Sequence, residues 1–370
     1  MNKKKYVNRN YLTTTRIIAL GFLITVIVGT ILLSLPIASA NGTWTDLLTA
    51  AFTSTTSVCV TGLVVVDTFS YWSLFGKGVI LILIQIGGLG IVSIITLFML
   101  LLRMKITLKS TMLLQDAFNL NSKQGLLKFT IKVIKGTFLI EGIGALIYSF
   151  YYCREYGFLK GIWFSVFHAV SAFCNAGIDI MGADSLISYH SNLLMMLNTS
   201  FLIIMGGIGF IVWWDTVEAF RRIRTKRCSI RSAWNGVHLQ TKIAIFMTLL
   251  LLIGGTIVIY FLERSNPDTL GNLSEKDRIL NAFFQSVTFR TAGFAAVSQV
   301  ALRPVTAFFG VLLMMIGGSP VGTAGGMKTV TIAVIFYTFA AMIRNHEDTE
   351  VFKRSIPVLR RFVEEQYPDR

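Results

Sequence analysis

Charged residues, histidine and cysteine are all scarce in this sequence, and their scarcity argues against several classes of protein. Asp, Glu, Lys and Arg make up 14% of the 370 residues, and the chain has four histidines and four cysteines. The cysteines form no Cys-x-x-Cys pair and have no histidine at ligand spacing, which argues against a disulfide framework and a zinc site. The sequence also has no His-Glu-x-x-His motif and no nucleophile elbow. We therefore expect neither an enzyme nor a covalent cofactor.

Apolar residues are correspondingly abundant in the sequence. They account for 54% of the chain, and the mean hydropathy is +0.65, both above the values of ordinary soluble domains. Six stretches are long enough to cross about 30 Å of hydrocarbon. These stretches are 17–37, 79–102, 133–152, 193–220, 243–262 and 305–343. The composition therefore predicts a multi-pass integral membrane protein that is surrounded by membrane lipid.

The net charge of +15 is spread over four basic groups rather than along one face. Residues 3–16, 103–135, 221–242 and 344–370 hold 25 of the 34 lysines and arginines, and the connections between these groups hold few. This alternation is the positive-inside pattern of membrane proteins. It predicts that both termini are cytoplasmic and that nucleic acid is not a partner.

One motif occurs three times, each time centred on a glycine within an apolar stretch. The copies span residues 52–63, 167–178 and 283–294, and each has a Phe ten residues before its glycine. The glycines are 115 and then 116 residues apart, and the position three before each glycine holds Cys59, Cys174 and Arg290. Constant spacing of this kind indicates one structural unit that is used repeatedly.

A helical segment too short to cross the bilayer precedes each glycine, at 44–56, 161–173 and 278–288. Each repeat is therefore a span, a half-helix, an irregular strip and a second span. Irregular backbone at membrane depth is tolerated only where protein buries it or water lines it. A half-helix that ends there directs its free carbonyls and the negative end of its dipole to one place. Glycine lets successive carbonyls turn towards one axis, where they can replace the hydration shell of a cation.

With these motifs the chain resembles the Trk/Ktr/HKT superfamily of potassium transporters, and most closely the Ktr B type of membrane subunit. The resemblance rests on Val-Cys-Val-Thr-Gly-Leu at 58–63, on the strips 174–178 and 290–294, and on the glycine-rich run 317–329. It implies an all-α membrane fold in which four repeats surround one pseudo-fourfold ion path. It also implies that the filter carbonyls bind K⁺ and that no other metal is bound. The implied filter residues are Val60, Thr61, Gly62, Asn175, Ala176, Gly177, Thr291, Ala292 and Gly293. Members with Ser at the first glycine tend to favour Na⁺, so Gly62 implies K⁺ selectivity.

The run 317–329 interrupts the last apolar stretch with five glycines, Pro320 and two threonines. Glycine and proline at this density disfavour a continuous helix. The resemblance implies that the run is an intramembrane gate loop below the filter. The implied gate residues are Gly317, Gly318, Gly322, Thr323, Gly325, Gly326 and Lys328. Lys328 either faces the ion path, where it would repel K⁺, or extends to the cytoplasmic interface. Met327 stands where a nucleotide-binding P-loop needs glycine, which excludes that motif.

For several polar residues near the strips, the sequence gives weaker evidence of a function. His168 fits a hydrogen-bonded packing residue. Arg290 is expected either to pair with an acid such as Asp179 or to donate to strip carbonyls. Asp67 and Asp179 follow their glycines on the outer side, where carboxylates enrich cations.

Pairs of glycines also recur in the second span of each repeat. They stand at 87–88 and 206–207, with a counterpart at 317–318. Their position inside a membrane span argues against a dinucleotide-binding loop and favours close helix packing.

The repeat count departs from the family pattern. The predicted organisation is a cytoplasmic N-terminus (1–16), three pore repeats (17–110, 111–228 and 229–343) and a cytoplasmic C-terminal segment (344–370). Only 77 residues follow the third glycine, fewer than the spacing of 115 that a fourth requires. Three quarters of a pore would expose polar backbone to lipid, which is unfavourable. We therefore expect that the fourth repeat is absent, either because the sequence is incomplete or because another polypeptide supplies it.

These features predict the membrane subunit of a potassium uptake system in a bacterial plasma membrane. Two alternatives stay open, namely a non-transporting scaffold or assembly subunit built from the same repeats and a Na⁺-permeable member of the family. Na⁺ as a coupling ion is also left open. The resemblance further implies a homodimer on a cytoplasmic ring of nucleotide-binding regulatory subunits, which the basic loops 103–135 and 221–242 would contact.

Overall fold

The chain folds into helices, and a computed structural model describes residues 14–90, 93–97, 126–182, 184–226, 228–344, 349–351 and 354–356. Helices satisfy their backbone polar groups within one segment, which apolar segments in a membrane require. In chain order the helices are α1 (Thr14–Ser34), α2 (Leu47–Cys59), α3 (Thr68–Tyr71), α4 (Leu74–Leu89), α5 (Leu126–Tyr156), α6 (Phe158–Phe173), α7 (Leu193–Gly207), α8 (Phe210–Lys226), α9 (Ile230–Asn235), α10 (Leu239–Glu263), α11 (Glu275–Thr288), α12 (Pro304–Met315) and α13 (Thr329–Ile343). Short 3-10 turns lie at Pro36–Ala38 and Ile187–Tyr189, and a π turn lies at Pro267–Gly271.

A two-stranded antiparallel ribbon follows α13. It consists of β1 (Thr349–Val351) and β2 (Arg354–Ile356), in which Glu350 is paired with Ser355. The predicted all-α class is therefore confirmed for the membrane body, with this ribbon as the exception. The pseudo-fourfold arrangement and the number of repeats stay predictions.

Among the helices that the structure describes, three are long and apolar enough to cross a membrane, namely α1, α5 and α10. Helices α7 and α8 pass the same test together, but they are bent by 97° at the break between them. Large apolar side chains of α1 point outwards, since Leu23, Ile24 and Ile31 are 54%, 58% and 56% exposed. An extended apolar surface of this kind contacts a membrane or a partner rather than water. These features agree with a multi-pass membrane protein.

The second span of each repeat is broken, although the sequence predicts an interruption only in the third. Helix α4 ends at Leu89 and residues 93–97 are also helical, two residues separate α7 from α8, and a longer loop separates α12 from α13. Gly90 and Gly209 have φ angles of +79° and +95°, a left-handed conformation that ends helices and favours glycine. The predicted span 193–220 therefore consists of two helices. The sequence does not reveal this, because a two-residue break hardly changes the apolar character of the stretch.

The three half-helices are α2, α6 and α11, and each begins or ends within three residues of its predicted bounds. Asp46 caps the start of α2 by accepting from the N–H groups of Leu48 and Thr49 at 3.1 and 3.3 Å, and Ser274 caps α11. Helix α6 starts directly after Gly157, whose φ of +81° reverses the chain without a loop. Each half-helix packs on the long helix before it, so the pairs are α1 with α2, α5 with α6 and α10 with α11.

Some predicted features lie outside the described residues. These are most of the basic group 3–16, the greater part of loop 103–135 and the chain beyond residue 356. The cytoplasmic position of the termini and the boundaries of the repeats stay predictions.

Candidate cation-binding site

Each half-helix is followed by a strip of unusual backbone. The glycine of each strip and the residue two positions before it have positive φ, whereas the residue between them does not. Backbone conformations of positive and negative φ are near mirror images. Their alternation along a strip therefore turns successive carbonyls towards one side. The φ angles are 56° and 78° at Val60 and Gly62, 57° and 64° at Asn175 and Gly177, and 67° and 89° at Thr291 and Gly293. Because Val60 and Thr291 are β-branched, their left-handed conformation is strained, as is common at functional sites.

The three strips lie against one another in chain order. A Cβ atom on Gly62 would lie 2.6 Å from the Ala176 carbonyl oxygen, and one on Gly177 would lie 2.4 Å from the Ala292 carbonyl oxygen. A Cβ on Gly177 would also lie 2.5 Å from the Cα of Gly293. Close backbone approach therefore requires glycine here in addition to the φ angles. The structure brings together the three predicted glycines and the carbonyls of Ala176 and Ala292.

The three glycines also line one cavity of about 340 Å³, together with Asp67 and Asp179. Asp179 accepts hydrogen bonds from the Met181 N–H at 3.2 Å and from Ser185 Oγ at 2.5 Å. Burial raises the pKa of the Asp179 carboxyl, and His168 opposes this shift. The two aspartates therefore lie at the cavity beside the strips, and their enrichment of cations there stays a prediction.

A hydroxyl group near the end of each half-helix fixes the residue that follows the glycine. The three bonds run from Ser171 Oγ to the Ile178 carbonyl at 2.5 Å, from Thr288 Oγ1 to the Phe294 carbonyl at 2.7 Å, and from the Leu63 N–H to Thr56 Oγ1 at 3.0 Å. Side chains of this kind anchor irregular backbone that has no regular partner. The sequence shows Ser or Thr near each half-helix end, but it does not show their partners.

The loop between α12 and α13 is hydrogen-bonded to the break between α7 and α8. The N–H groups of Ser319 and Thr323 donate to the carbonyls of the glycine pair 206–207 at 2.8 and 3.0 Å. In the opposite direction, the Phe210 N–H donates to the Val321 carbonyl at 2.8 Å. The broken helix leaves backbone groups without helical partners, and the loop satisfies them. This loop, which includes the predicted gate, is therefore firmly held rather than free.

The same loop contacts two strips. Thr323 Oγ1 donates to the Phe173 carbonyl at 2.9 Å and lies 2.9 Å from the amide group of Asn175. The Gly325 N–H donates to Thr291 Oγ1 at 2.9 Å. Predicted gate residues therefore adjoin the predicted filter residues Asn175 and Thr291.

Close internal contacts also shape the loop. A Cβ on Gly317 would lie 1.8 Å from the Gly325 carbonyl oxygen, and Gly326 has a φ of +70°. The remaining gate glycines, Gly318 and Gly322, abut Ala324 and the Gly206 carbonyl. Lys328 Nζ donates to the Ala324 carbonyl at 2.8 Å, so the half-buried ammonium group lies on the loop itself. Its relation to the ion path stays a prediction.

Arg290 lies behind the third strip and is 6% exposed. Its Nε and Nη2 donate to the Gly317 carbonyl at 3.4 and 3.3 Å, and no ion pair of Arg290 occurs within the described ranges. Neither expected partner, an acid such as Asp179 or a strip carbonyl, is therefore the one observed, because the acceptor is a carbonyl of the loop. Asp179 follows its glycine on the cavity side, whereas Arg290 precedes its own glycine on the loop side. Arg290 instead ties the third strip to the loop.

The recurrent glycine pairs pack against the ends of the half-helices. A Cβ on Gly87 would lie 2.2 Å from the Val58 carbonyl oxygen, and one on Gly206 would lie 1.8 Å from that of Phe173. The close packing predicted for these glycines is therefore present. It places the break of the second span directly behind the strip.

Two buried acids, Glu141 and Glu263, are missing from the sequence-based predictions, and Glu141 is the one in contact with the residue before the second strip. Glu141 lies in the apolar middle of α5 and is 4% exposed. Gln85 of α4 donates to it at 3.1 Å. The signal was present in the sequence, since an ionisable residue within a membrane span is a functional candidate by default.

Comparison with known proteins agrees with this geometry. The family model for TrkH, described as a cation transport protein, matches residues 3–366. The chain is 39% identical over 348 residues to the potassium/sodium uptake protein NtpJ of Enterococcus hirae, an alignment that covers 94% of this chain and 74% of that protein. It is 38% identical over 357 residues to the Ktr system potassium uptake protein B of Bacillus subtilis, with 96% and 77% covered.

The fold is also similar to that of a solved transporter. The crystal structure of the potassium transporter TrkH from Vibrio parahaemolyticus matches with a TM-score of 0.67 at 16% identity, over 98% of this chain and 69% of that one. At that identity the match concerns the fold alone. The sequence matches carry the assignment, and they show that the chain belongs to the TrkH family of cation transport proteins.

Proposed function

We propose that the chain is the membrane subunit of a potassium uptake system, in which K⁺ passes along a path lined by carbonyls of the three strips. The observation that carries this proposal is the alternating backbone of the strips, whose glycines adjoin at one cavity. Within the described ranges no group of three His, Cys, Asp or Glu side chains could hold a metal ion, so carbonyls are the available ligands. Carbonyls can replace the hydration shell of K⁺, and an inside-negative potential drives entry by about 2.3 kcal/mol per 100 mV.

The proposed filter consists of residues 60–62, 175–177 and 291–293. The ends of α2, α6 and α11 adjoin these strips, so the negative ends of three helix dipoles favour a cation there. The resemblance to the Trk/Ktr/HKT superfamily, in which Ser at the first glycine tends to favour Na⁺, supports K⁺ selectivity for a chain with Gly62.

The proposed gate is the loop 317–329. Its contacts with the second and third strips support this role, because movement of the loop would break bonds to filter residues. Those bonds couple the position of the loop to the geometry of the strips. Lys328 adds a positive charge to the loop, and that charge opposes K⁺ wherever it approaches the path.

The proposed assembly is a homodimer on a cytoplasmic ring of nucleotide-binding regulatory subunits. Basic residues of 221–242 are the proposed contacts among the described residues, and loop 103–135 lies mostly outside them. The proposed location is a bacterial plasma membrane with cytoplasmic termini.

A Na⁺-permeable transporter is the second candidate function. One observation favours it, because the relative from Enterococcus hirae is named a potassium/sodium uptake protein. The strip backbone fits either ion. Their discrimination therefore depends on how rigidly the glycines hold the carbonyls.

Growth of a bacterium that lacks K⁺ uptake tests the proposal. We expect the chain to restore growth at low external K⁺. Replacement Gly62→Ser is expected to raise the permeability of Na⁺ relative to K⁺, because its Cβ must displace the Ala176 carbonyl. The matched control is Gly42→Ser, which has a φ of +67° but no atom within 4 Å of the new Cβ.

The outcomes separate the candidates. Rescue by the wild type with a selectivity change only in Gly62→Ser supports the filter. Absence of rescue favours the scaffold interpretation. Equal Na⁺ and K⁺ permeability in the wild type favours the Na⁺-permeable transporter, and an unchanged ratio in Gly62→Ser removes that residue from the filter.

A further inference from the structure

Glu141 occupies the buried face of α5. The buried residues of this helix recur every three or four positions, and Glu141 stands among them between Thr137 and Gly144. It is 4% exposed. The side chain therefore points into the protein, towards α4 and α6, rather than into lipid.

The contacts of Glu141 do not neutralise a negative charge. Its Oε1 accepts from Gln85 Nε2 at 3.1 Å and lies 3.9 Å from Cys174 Sγ, while its Oε2 has no hydrogen-bond partner. No Lys, Arg or His forms an ion pair with it in the described part of the chain. Cys174, directly after α6, is the titratable group in contact with it. Other titratable groups on the packed elements include Lys77 of α4, Lys135 and Tyr148 of α5, and Lys160 and His168 of α6. An amide and a thiol leave an ionised carboxylate largely uncompensated.

The walls around Glu141 are apolar. A cavity of about 340 Å³ lies beside it, and apart from Gln85 and Glu141 its lining is apolar, including Leu81, Phe138 and Val170. Such walls offer too few oxygens for a second metal ion. They favour the neutral carboxyl, in which a proton takes the place of a counter-ion.

Glu141 is also coupled to the second strip. Cys174 is the residue at the C-terminal end of α6 and directly precedes the strip 175–177. A Cβ on Gly88 would lie 2.4 Å from Cys174 Sγ, so the sulfur has little room to move away from the acid. The carbonyl end of α6 is the negative end of a dipole and disfavours a second negative charge nearby. A cation in the strip reverses that balance, because it attracts a carboxylate.

We propose that Glu141 is a proton-binding site behind the second strip, and that a cation in the strip and the proton on Glu141 oppose each other. This inference rests on the proposed ion path. When K⁺ enters, the O–H bond of Glu141 breaks, the proton goes to solvent and the carboxylate remains. When K⁺ leaves, the carboxylate takes a proton back.

The linkage is reciprocal, so its sign is fixed. Because K⁺ favours the ionised acid, the ionised acid must favour K⁺ by the same factor. K⁺ affinity is therefore expected to rise at least about fivefold as pH increases through the titration of Glu141. Replacement Glu141→Gln keeps the size and imitates the protonated form, so its K⁺ affinity should stay low at every pH.

The test uses the full chain in lipid bilayers and three measurements. These are the infrared C=O band of a protonated carboxyl, proton release into weak buffer on addition of KCl, and K⁺ affinity as a function of pH. In the wild type we expect the band to weaken and protons to be released when KCl replaces N-methylglucamine chloride. Glu141→Gln should lack both responses. Glu141→Asp, which keeps a carboxyl, should retain them, and Glu155→Gln, an exposed acid at the end of the same helix, should match the wild type.

The outcomes distinguish this inference from the proposed function. If the wild type binds K⁺ but releases the same number of protons as Glu141→Gln, the inference is overturned and the ion path stands. A pH-independent K⁺ affinity in the wild type overturns it as well. If the wild type binds no K⁺, the proposed function fails and the linkage with it, whereas a band that is absent only in Glu141→Gln still assigns the proton to this site.

Discussion

The second and third strips have the same backbone but different residues behind them. Behind the second strip, Cys174 touches the buried acid Glu141. At the same repeat position behind the third strip, Arg290 donates to the carbonyl of Gly317. Both strips nevertheless combine a left-handed residue with a left-handed glycine two positions later. The strip geometry is thus set by the half-helix end, the hydroxyl anchor and the glycine, and the residue behind the strip is free to serve another purpose.

The replacement Gly177→Ala should have the largest effect, because it breaks the part that both strips share. Its Cβ would lie 2.4 Å from the Ala292 carbonyl oxygen, so the second and third strips must separate. We expect K⁺ affinity to fall by about tenfold or more, as measured by ⁸⁶Rb⁺ binding. The control is Gly182→Ala, which has a φ of +100° and no atom within 4 Å of the new Cβ. Equal losses in the two variants would show that backbone strain alone is responsible.

The hydroxyl anchors test whether the two strips are held in the same way. Ser171→Ala and Thr288→Val each remove a buried hydrogen bond to the carbonyl that follows the glycine. Each is expected to reduce the free energy of unfolding by about 1–3 kcal/mol, measured by thermal unfolding in detergent. Ser149→Ala serves as the control, since its hydroxyl bond is exposed. If only one of the two variants loses stability, the two strips are not held by the same kind of hydroxyl anchor.

Arg290→Met tests whether the residue behind the third strip tethers the loop, which Cys174 behind the second strip does not do. Losing the donors to Gly317 should speed hydrogen exchange in the loop 317–326 by about tenfold, as expected for about 1.4 kcal/mol of hydrogen bonding. Global stability should change little, because an apolar side chain can replace a buried unpaired charge at small net cost. Exchange in 174–178 should stay the same. Arg303→Met, whose guanidinium contacts Ser265 at the surface, is the control; equal exchange in both variants would mean that Arg290 does not tether the loop.

Cys174→Ser should have the smallest effect. A hydroxyl fits the same space and donates to Glu141 more strongly than a thiol does. We expect the free energy of unfolding to change by less than about 1 kcal/mol, measured by thermal unfolding. A larger loss would indicate that packing against Gly88, and not the polar contact, determines the residue behind the second strip.

The half-helices and strips could be predicted because their signals are local. Three segments too short to span, each followed by a glycine at constant spacing, define both the helix end and the left-handed turn. The breaks in the second spans could not be predicted so well. Gly87 and Gly206 pack against half-helix carbonyls, whereas Gly90 and Gly209 end helices. In the sequence a packing glycine and a helix-ending glycine look alike.

The partners of the buried charges were the least predictable part of the site. Arg290 binds a backbone carbonyl 27 residues away, and no residue type marks a carbonyl as a partner. Glu141 meets Gln85 from another repeat, 56 residues away. Such contacts depend on how the repeats pack, which local patterns do not specify. The acid itself was visible as the single charge in the apolar stretch between Lys135 and Arg154 of α5, although its neighbours were not.

The bonds between the loop and the broken helix of the second repeat have a consequence for opening. If the loop moves away, the carbonyls of the glycine pair 206–207 and the N–H of Phe210 lose their partners. In an apolar interior only water can replace them. If the loop is the proposed gate, its displacement is a wetting transition, in which the protein takes up solvent as the path opens. Osmolytes that are excluded from protein surfaces should then hold the path shut from a distance, without binding to the loop or to the ion.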